Sequence, residues 1–278
     1  MDFVLRAFPS RSSCMEWLHF REPVSAWTHG IGFLLALPAS VLLWRAGRGD
    51  RAKQFSFLVF GLSLAACYAG SLLYHAVRLP PQFIRWFATA DSIGIYLLIA
   101  GSITPFAVVA LQGPWQWGTV VATWMLAGCG CALCLLFSHV PGVVSTSIYL
   151  GMGWGILVCR SQLEQSPKPI DLRLAFLGGV LYSVGAMFNL LHWPVLWPGV
   201  FAAHELFHLF VMAGSLAHFW FMLTVVAPYE RALPDAPAHR RWGFAFLPDR
   251  VNQELQPVIL PVVASHRRLH QPPTPPNP

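Results

Sequence analysis

His204-Glu205-Leu206-Phe207-His208 opens the run VFAAHELFHLFVMAGSLAHFWFMLTVVA, residues 200–227, in which Glu205 is the only Asp, Glu, Lys or Arg. At 1.5 Å per residue, a helix needs about 20 residues to cross a 30 Å hydrocarbon core. The run is long enough, so it reads as a membrane span. Two histidines four apart share one face of a helix, about 6 Å apart along its axis, which suits chelation of a single metal ion. Ionisable groups are costly at membrane depth and are functional-site candidates wherever they occur.

Six further apolar runs precede it, at roughly 24–44, 54–77, 86–110, 116–137, 142–160 and 173–191, with Gly, Pro and charged residues collected between them. Pro38 and Pro105 fall inside runs, where membrane helices tolerate proline. Trp44, Trp86, Trp115, Trp117, Trp193 and Trp197 lie near run ends, as an interfacial aromatic belt requires. The chain is 55% hydrophobic and 11% charged, with mean hydropathy +0.54. Ordinary soluble domains carry about 25% charged residues, so too little polarity remains here to cover a water-facing surface. These features predict an all-α membrane protein: a seven-transmembrane-helix bundle over 23–227, an N-terminal segment over 1–22, and a Pro-rich tail over 228–278. The tail's composition predicts disorder.

Eighteen Lys and Arg against twelve Asp and Glu leave a net charge of +6. The basic residues sit in tails and short connections, so they read as membrane flanks and not as a nucleic-acid patch. The lipid bilayer is the expected partner, and the oligomeric state stays open. No long apolar run precedes Val24, so no cleavable signal peptide is expected. The six cysteines show no disulfide spacing; Cys131 and Cys134 form a CxxC within a run and read as packing residues.

Depth organises the polar residues inside the runs. With seven crossings, the first run starts on the amino-terminal side, the second ends there, and the third and seventh start there. Glu22, Ser25 and His29 open the first, Ser71 and His75 close the second, Asp91 lies early in the third, and His204 and His208 open the seventh. All fall in one leaflet. Three imidazoles, His75, His204 and His208, with one open position make a catalytic type of Zn²⁺ site, since structural sites usually close with four protein ligands. Bound zinc lowers the pKa of its water to about 7. Asp91 suits an acid/base role beside it, and Ser71, one turn before His75, suits holding water or a substrate carbonyl. Bland readings exist for each neighbour. Ser71 can bond back to the Cys67 carbonyl, Asp91 can favour a helix start, and Glu22 before Pro23 fits an ordinary one. His29 can be a packing residue hydrogen-bonded to a neighbour. His218, ten residues or about 15 Å beyond His208, lies too far away to share its metal.

Four motifs stand in order: Glu22 to Gly30, Ser71 to His75, Asp91 to Ile95 with Gly101 to Pro105, and His204 to His208. Together they resemble the progestin and adipoQ receptor family, closest to its bacterial hemolysin III branch, over about residues 20–227. The resemblance implies a seven-helix membrane protein with zinc on His75, His204 and His208, and with Asp91 and Ser71 beside it. Adiponectin receptors are similar to alkaline ceramidases, which implies a zinc-dependent hydrolase of a ceramide-like lipid amide. The hemolysin III branch implies cytolysis by pore formation as an alternative, and a receptor or membrane-homeostasis protein with structural zinc is a third. His204-Glu205-x-x-His208 also spells the zincin motif, in which the glutamate is a general base; the reading here makes Glu205 supportive or dispensable. A pore would need a polar stripe through the full depth of the membrane.

The charges and the resemblance disagree on orientation. Arg6, Arg11, Arg21, Arg78 and Arg85 flank the amino-terminal side; Arg45, Arg48, Arg51, Lys53, Arg160, Lys168 and Arg173 flank the other. The positive-inside rule then puts the amino terminus outside. The resemblance implies that it and the zinc face the cytoplasm of a cell membrane, and the expectation adopted follows the resemblance.

Overall fold

The computed structural model describes residues 20–137, 139–164 and 169–230, without the side chains of Arg160 and Glu164. Residues 1–19 of the N-terminal segment and the Pro-rich tail from residue 231 lie outside the described residues. Seven helical segments long and apolar enough to cross a membrane follow one another. They comprise α1 (Pro23–Ala46), α2 (Arg51–Ala76), α3 (Pro81–Ala110), α4 (Gly113–Leu136), a composite fifth span, α7 (Arg173–Leu191) and α8 (Ala203–Phe221). The fifth span is α5 (Gly142–Trp154), a 3₁₀ stretch over Gly155–Cys159 and the short α6 (Arg160–Glu164). A π-helical turn over Met222–Val226 extends α8. Among the described residues the only β pairing is an isolated bridge between Trp197 and Phe201. The chain is a multi-pass membrane protein.

Helix starts follow local chemistry. The Asp50 carboxylate accepts the Ala52 and Lys53 N–H groups at 3.0 and 3.1 Å, so α2 begins at Arg51, ahead of the purely apolar run. Pro23 and Pro81 occupy the first helical position of α1 and α3, where a missing N–H costs nothing. Helix α3 thus starts five residues earlier than hydropathy alone predicts. Asp91 is then ten residues past Pro81, about 15 Å along the axis, too deep to stabilise a helix start. Pro38 and Pro105 lie within α1 and α3, and both helices continue through them.

Helix α3 is the axis of the bundle: 67% of its membrane window is buried, against 50% for α2 and 11% for α4, the fifth span and α7. Phe57, Phe60, Tyr68, Leu98, Phe106, Phe221 and Met222 pack in the interior. Leu34, Leu62, Met125 and Val158 face outward, which suits a lipid solvent. Two glycines let α2 and α3 approach closely. A Cβ on Gly94 would come 2.7 Å from the Cys67 Cα, and one on Gly70 would come 3.0 Å from the Ala90 carbonyl oxygen. Only hydrogen fits at Gly94, and a side chain at Gly70 would have to push the α3 backbone away. This contact sets Ser71 and His75 of α2 beside Asp91 of α3. At the far end, Lys53 donates to the Ala227 and Tyr229 carbonyls at 2.8 Å each, tying the start of α2 to the end of the seventh span. Cys67, Cys129, Cys131, Cys134 and Cys159 are free thiols, and Cys131 and Cys134 pack near Tyr96 as expected.

Candidate metal centre

The ends of α2 and α8 bring three imidazoles together. The Nε2 atoms of His204 and His75 are 3.3 Å apart, and those of His208 and His204 are 3.2 Å apart. One ligand atom from each ring lies within 4.8 Å of the others. Nitrogens bound tetrahedrally at 2.0–2.1 Å from zinc would be separated by about 3.3 Å. Two of the three separations match that value and all three ligand atoms lie within 4.8 Å of one another, so the donor set suits such an ion. His75 and His208 are fully buried, and His204 is partly exposed.

Each ring has a separate partner on its other nitrogen. His75 Nδ1 meets Glu22 Oε2 at 2.5 Å, His204 Nδ1 meets Asn189 Oδ1 at 3.0 Å, and His208 Nδ1 meets Thr28 Oγ1 at 3.4 Å. An acceptor on Nδ1 fixes the proton there and leaves Nε2 free to ligate, the usual supporting arrangement around a metal. The helix start proposed for Glu22 is only half of its role. It is the N-cap residue of α1, but its carboxylate makes no cap bond and reaches His75 instead. The hydrogen bond from His75 holds the Glu22 carboxyl below the ordinary carboxylate range, against the opposing effect of its partial burial. Arg21 lies 3.2 Å from the same carboxylate and over the Tyr74 ring.

Asp91 and Ser71 adjoin the cluster. Asp91 Oδ2 is 3.9 Å from His75 Nε2, and its side chain is 21% exposed. The Ser71 hydroxyl is buried and makes no hydrogen bond among the described residues. It does not bond back to the Cys67 carbonyl. A buried hydroxyl left free costs about 1–3 kcal/mol, so its position beside three converging nitrogens suits a ligand.

Three other sequence candidates are placed differently. Glu205 turns away from the imidazoles: it accepts the Ala202 N–H at 2.8 Å and the Ser25 hydroxyl at 3.2 Å. It caps α8 and ties it to α1, which is the supportive reading and not that of a zincin base. Glu205→Gln should keep its metal and lose about 0.5–1.5 kcal/mol of stability, a typical hydrogen-bond contribution. Metal analysis and thermal unfolding in detergent check this; loss of the metal would mean the carboxylate serves the centre directly. His29 is a packing residue, but not a hydrogen-bonded one. Its ring stacks on His208 at 3.7 Å between centroids, and both ring nitrogens lack partners. His218 stays apart, packed on Tyr182.

Sequence reasoning missed Asn189 and Thr28. Neither is ionisable, so neither stands out by its cost in an apolar run. The one available signal was that Thr28 adjoins His29 in the first motif.

Comparison with known proteins places the chain in a family. A family model described as "Haemolysin-III related" matches residues 18–219. Hemolysin-3 of Bacillus cereus is 35% identical over 209 residues, covering 74% of this chain and 92% of that protein. A Hemolysin-3 homolog of Bacillus subtilis (strain 168) is 35% identical over 204 residues, covering 73% and 92%. The adiponectin receptor protein of Drosophila melanogaster is 25% identical over 248 residues, covering 78% of this chain and 55% of the receptor. The matched segment includes all seven span starts and every residue of the histidine cluster, and with seven apolar helices around it the chain belongs to the haemolysin-III-related family.

Proposed function

We propose that the protein is a zinc-dependent membrane hydrolase that cleaves a ceramide-like lipid amide, with zinc held by His75, His204 and His208. The observation that carries this reading is the convergence of three Nε2 atoms, each on a ring supported at Nδ1, beside a carboxylate and a free buried hydroxyl. Zinc bound there would supply a Lewis acid and a water acidic enough to act near neutral pH. The chain's own groups complete the chemistry. Asp91 is placed to take a proton from the attacking water and return it to the leaving amine. The Ser71 hydroxyl, which makes no hydrogen bond of its own, can donate to the amide carbonyl as negative charge develops on its oxygen. On this reading the site lies in the leaflet on the amino-terminal side, where a lipid presents its amide near the headgroup level. The reading puts the protein in the cell membrane, with the centre and the amino terminus toward the cytoplasm.

A second reading has one observation in its favour: the Bacillus cereus relative is named a hemolysin. Apart from Lys53 and His218, the buried ionisable side chains of the spans gather at one end, which disfavours a continuous polar path through a single copy. Both readings can be tested in one preparation. Purified protein in vesicles carrying a ceramide and an enclosed dye should release fatty acid, and a chelator should stop it, with the dye retained. Dye loss without fatty acid would establish the pore and end the hydrolase reading. Bound zinc with neither result would leave the metal a structural role.

A further inference from the structure

The connection between α7 and α8 differs chemically from its counterpart between α1 and α2. The latter carries Arg45, Arg48, Asp50, Arg51 and Lys53 across its ends. Between Arg173 and Glu205 there is no Asp, Glu, Lys or Arg at all, although α7 stops at Leu191 and α8 starts only at Ala203. In between, Trp193, Val195, Leu196, Trp197 and Val200 are each 46–66% exposed. An ordered stretch outside the helices, with so much apolar surface and no charge, is out of place in water.

Its backbone is also largely closed on itself. His192 ends α7 in the left-handed conformation. Pro198 and Gly199 then make a tight turn, with Gly199 at φ +78° and the Val200 N–H donating to the Trp197 carbonyl at 3.0 Å. Proline followed by a glycine of positive φ is the chemistry of a type II turn. Leu196 and Trp197 donate to the Phe201 carbonyl at 3.1 and 2.8 Å, Phe201 donates back to Trp197 at 2.9 Å, and Ala202 donates to Glu205. Pro194 and Pro198 have no N–H to satisfy. Backbone enters a low-dielectric layer only when its polar groups are paired internally, and this loop meets most of that requirement before any lipid arrives.

We propose that residues 192–201 form a wedge inserted into the bilayer interface of the leaflet that holds the histidine cluster, with Trp193, Leu196 and Trp197 among the lipid. Tryptophan is the residue favoured at that depth. The wedge is anchored in the centre at both ends: Asn189 precedes it, His204 follows it, and their side chains meet at 3.0 Å. Its seating in lipid therefore fixes the level at which α8 presents His204 and His208. Insertion is independent of whatever reaction the centre carries out.

The test is a depth measurement on the full chain. Leu196→Cys is labelled with an environment-sensitive fluorophore and reconstituted into phosphatidylcholine–phosphatidylglycerol vesicles, with the labelled parent chain as background. Gln82→Cys, at the exposed start of α3 on the same side, is the water-facing reference. The label at 196 should emit to the blue of the reference and be quenched at least threefold more by a shallow nitroxide lipid than by iodide present on both sides. Adding Trp193→Glu and Trp197→Glu should reverse that preference in protein that remains monodisperse. Iodide quenching equal to the reference would overturn the proposal. So would protection from both quenchers together with disulfide-linked dimers, which would make a second copy the occupant. Should the double variant not fold, the label in the parent background decides alone.

Discussion

Alanine at His75, His204 or His208 should each empty the metal centre, taking zinc from about one per chain to below about a tenth. Each ring supplies one of three nitrogens, and the Asp91 carboxylate stands 3.9 Å from the His75 nitrogen it would have to replace. Two histidines on α8 are no substitute for three, because the third comes from another helix and turns a local pair into a cage. Elemental analysis of purified protein gives the answer directly, and His218→Ala, outside the cluster, should keep its zinc. Glu22→Gln should fall between these extremes, with affinity reduced about 10–100-fold, because it weakens the acceptor that orients His75 without removing a donor. Protein that holds no zinc before any substitution, and whose unfolding is indifferent to chelators, would remove the centre altogether.

The fold was legible because membrane spans announce themselves by length and apolarity, and all seven expected runs are helices. What shifted was their starts. Asp50 and the prolines at 23 and 81 set them through backbone hydrogen-bonding, a local matter to which average hydropathy is blind. The fifth span, a continuous run by composition, is an α-helix, a 3₁₀ stretch and a second short α-helix, and the first change falls near Gly151, Gly153 and Gly155, where helix propensity is low. Within the site, depth alone brought His75, Asp91, His204 and His208 into one leaflet, because ionisable groups are conspicuous in an apolar run. Direction was a different matter. That Glu205 faces the Ala202 amide, and that Asn189 and Thr28 complete the histidine supports, depends on which way each helix is turned. A single chain of letters carries periodicity, and the rotation of seven helices about their axes comes from their mutual packing. Glycines at 70 and 94, ordinary in a membrane helix, set one such rotation by letting α2 and α3 touch.

Asp91→Asn should slow lipid hydrolysis by about 10²–10⁴-fold, the span of general acid–base contributions, while zinc content stays at the parent level. Asparagine keeps the size and the hydrogen-bonding oxygen of the carboxyl but takes up no proton, so the substitution separates proton transfer from positioning. The separation depends on Asp91 not being a ligand. Its oxygen lies 3.9 Å from His75 Nε2, and Asp91 is not among the three groups whose ligand atoms all lie within 4.8 Å of one another, so it stands beside the histidine cluster and not in it. Ser71→Ala should cost less, about tenfold, because one hydroxyl donor is lost from an oxyanion that bound zinc would also stabilise. Loss of zinc in Asp91→Asn would make Asp91 a fourth ligand and the centre a closed, structural one. Full activity with full zinc would instead leave the proton with water, and Asp91 as a neighbour whose charge only tunes the histidine beside it.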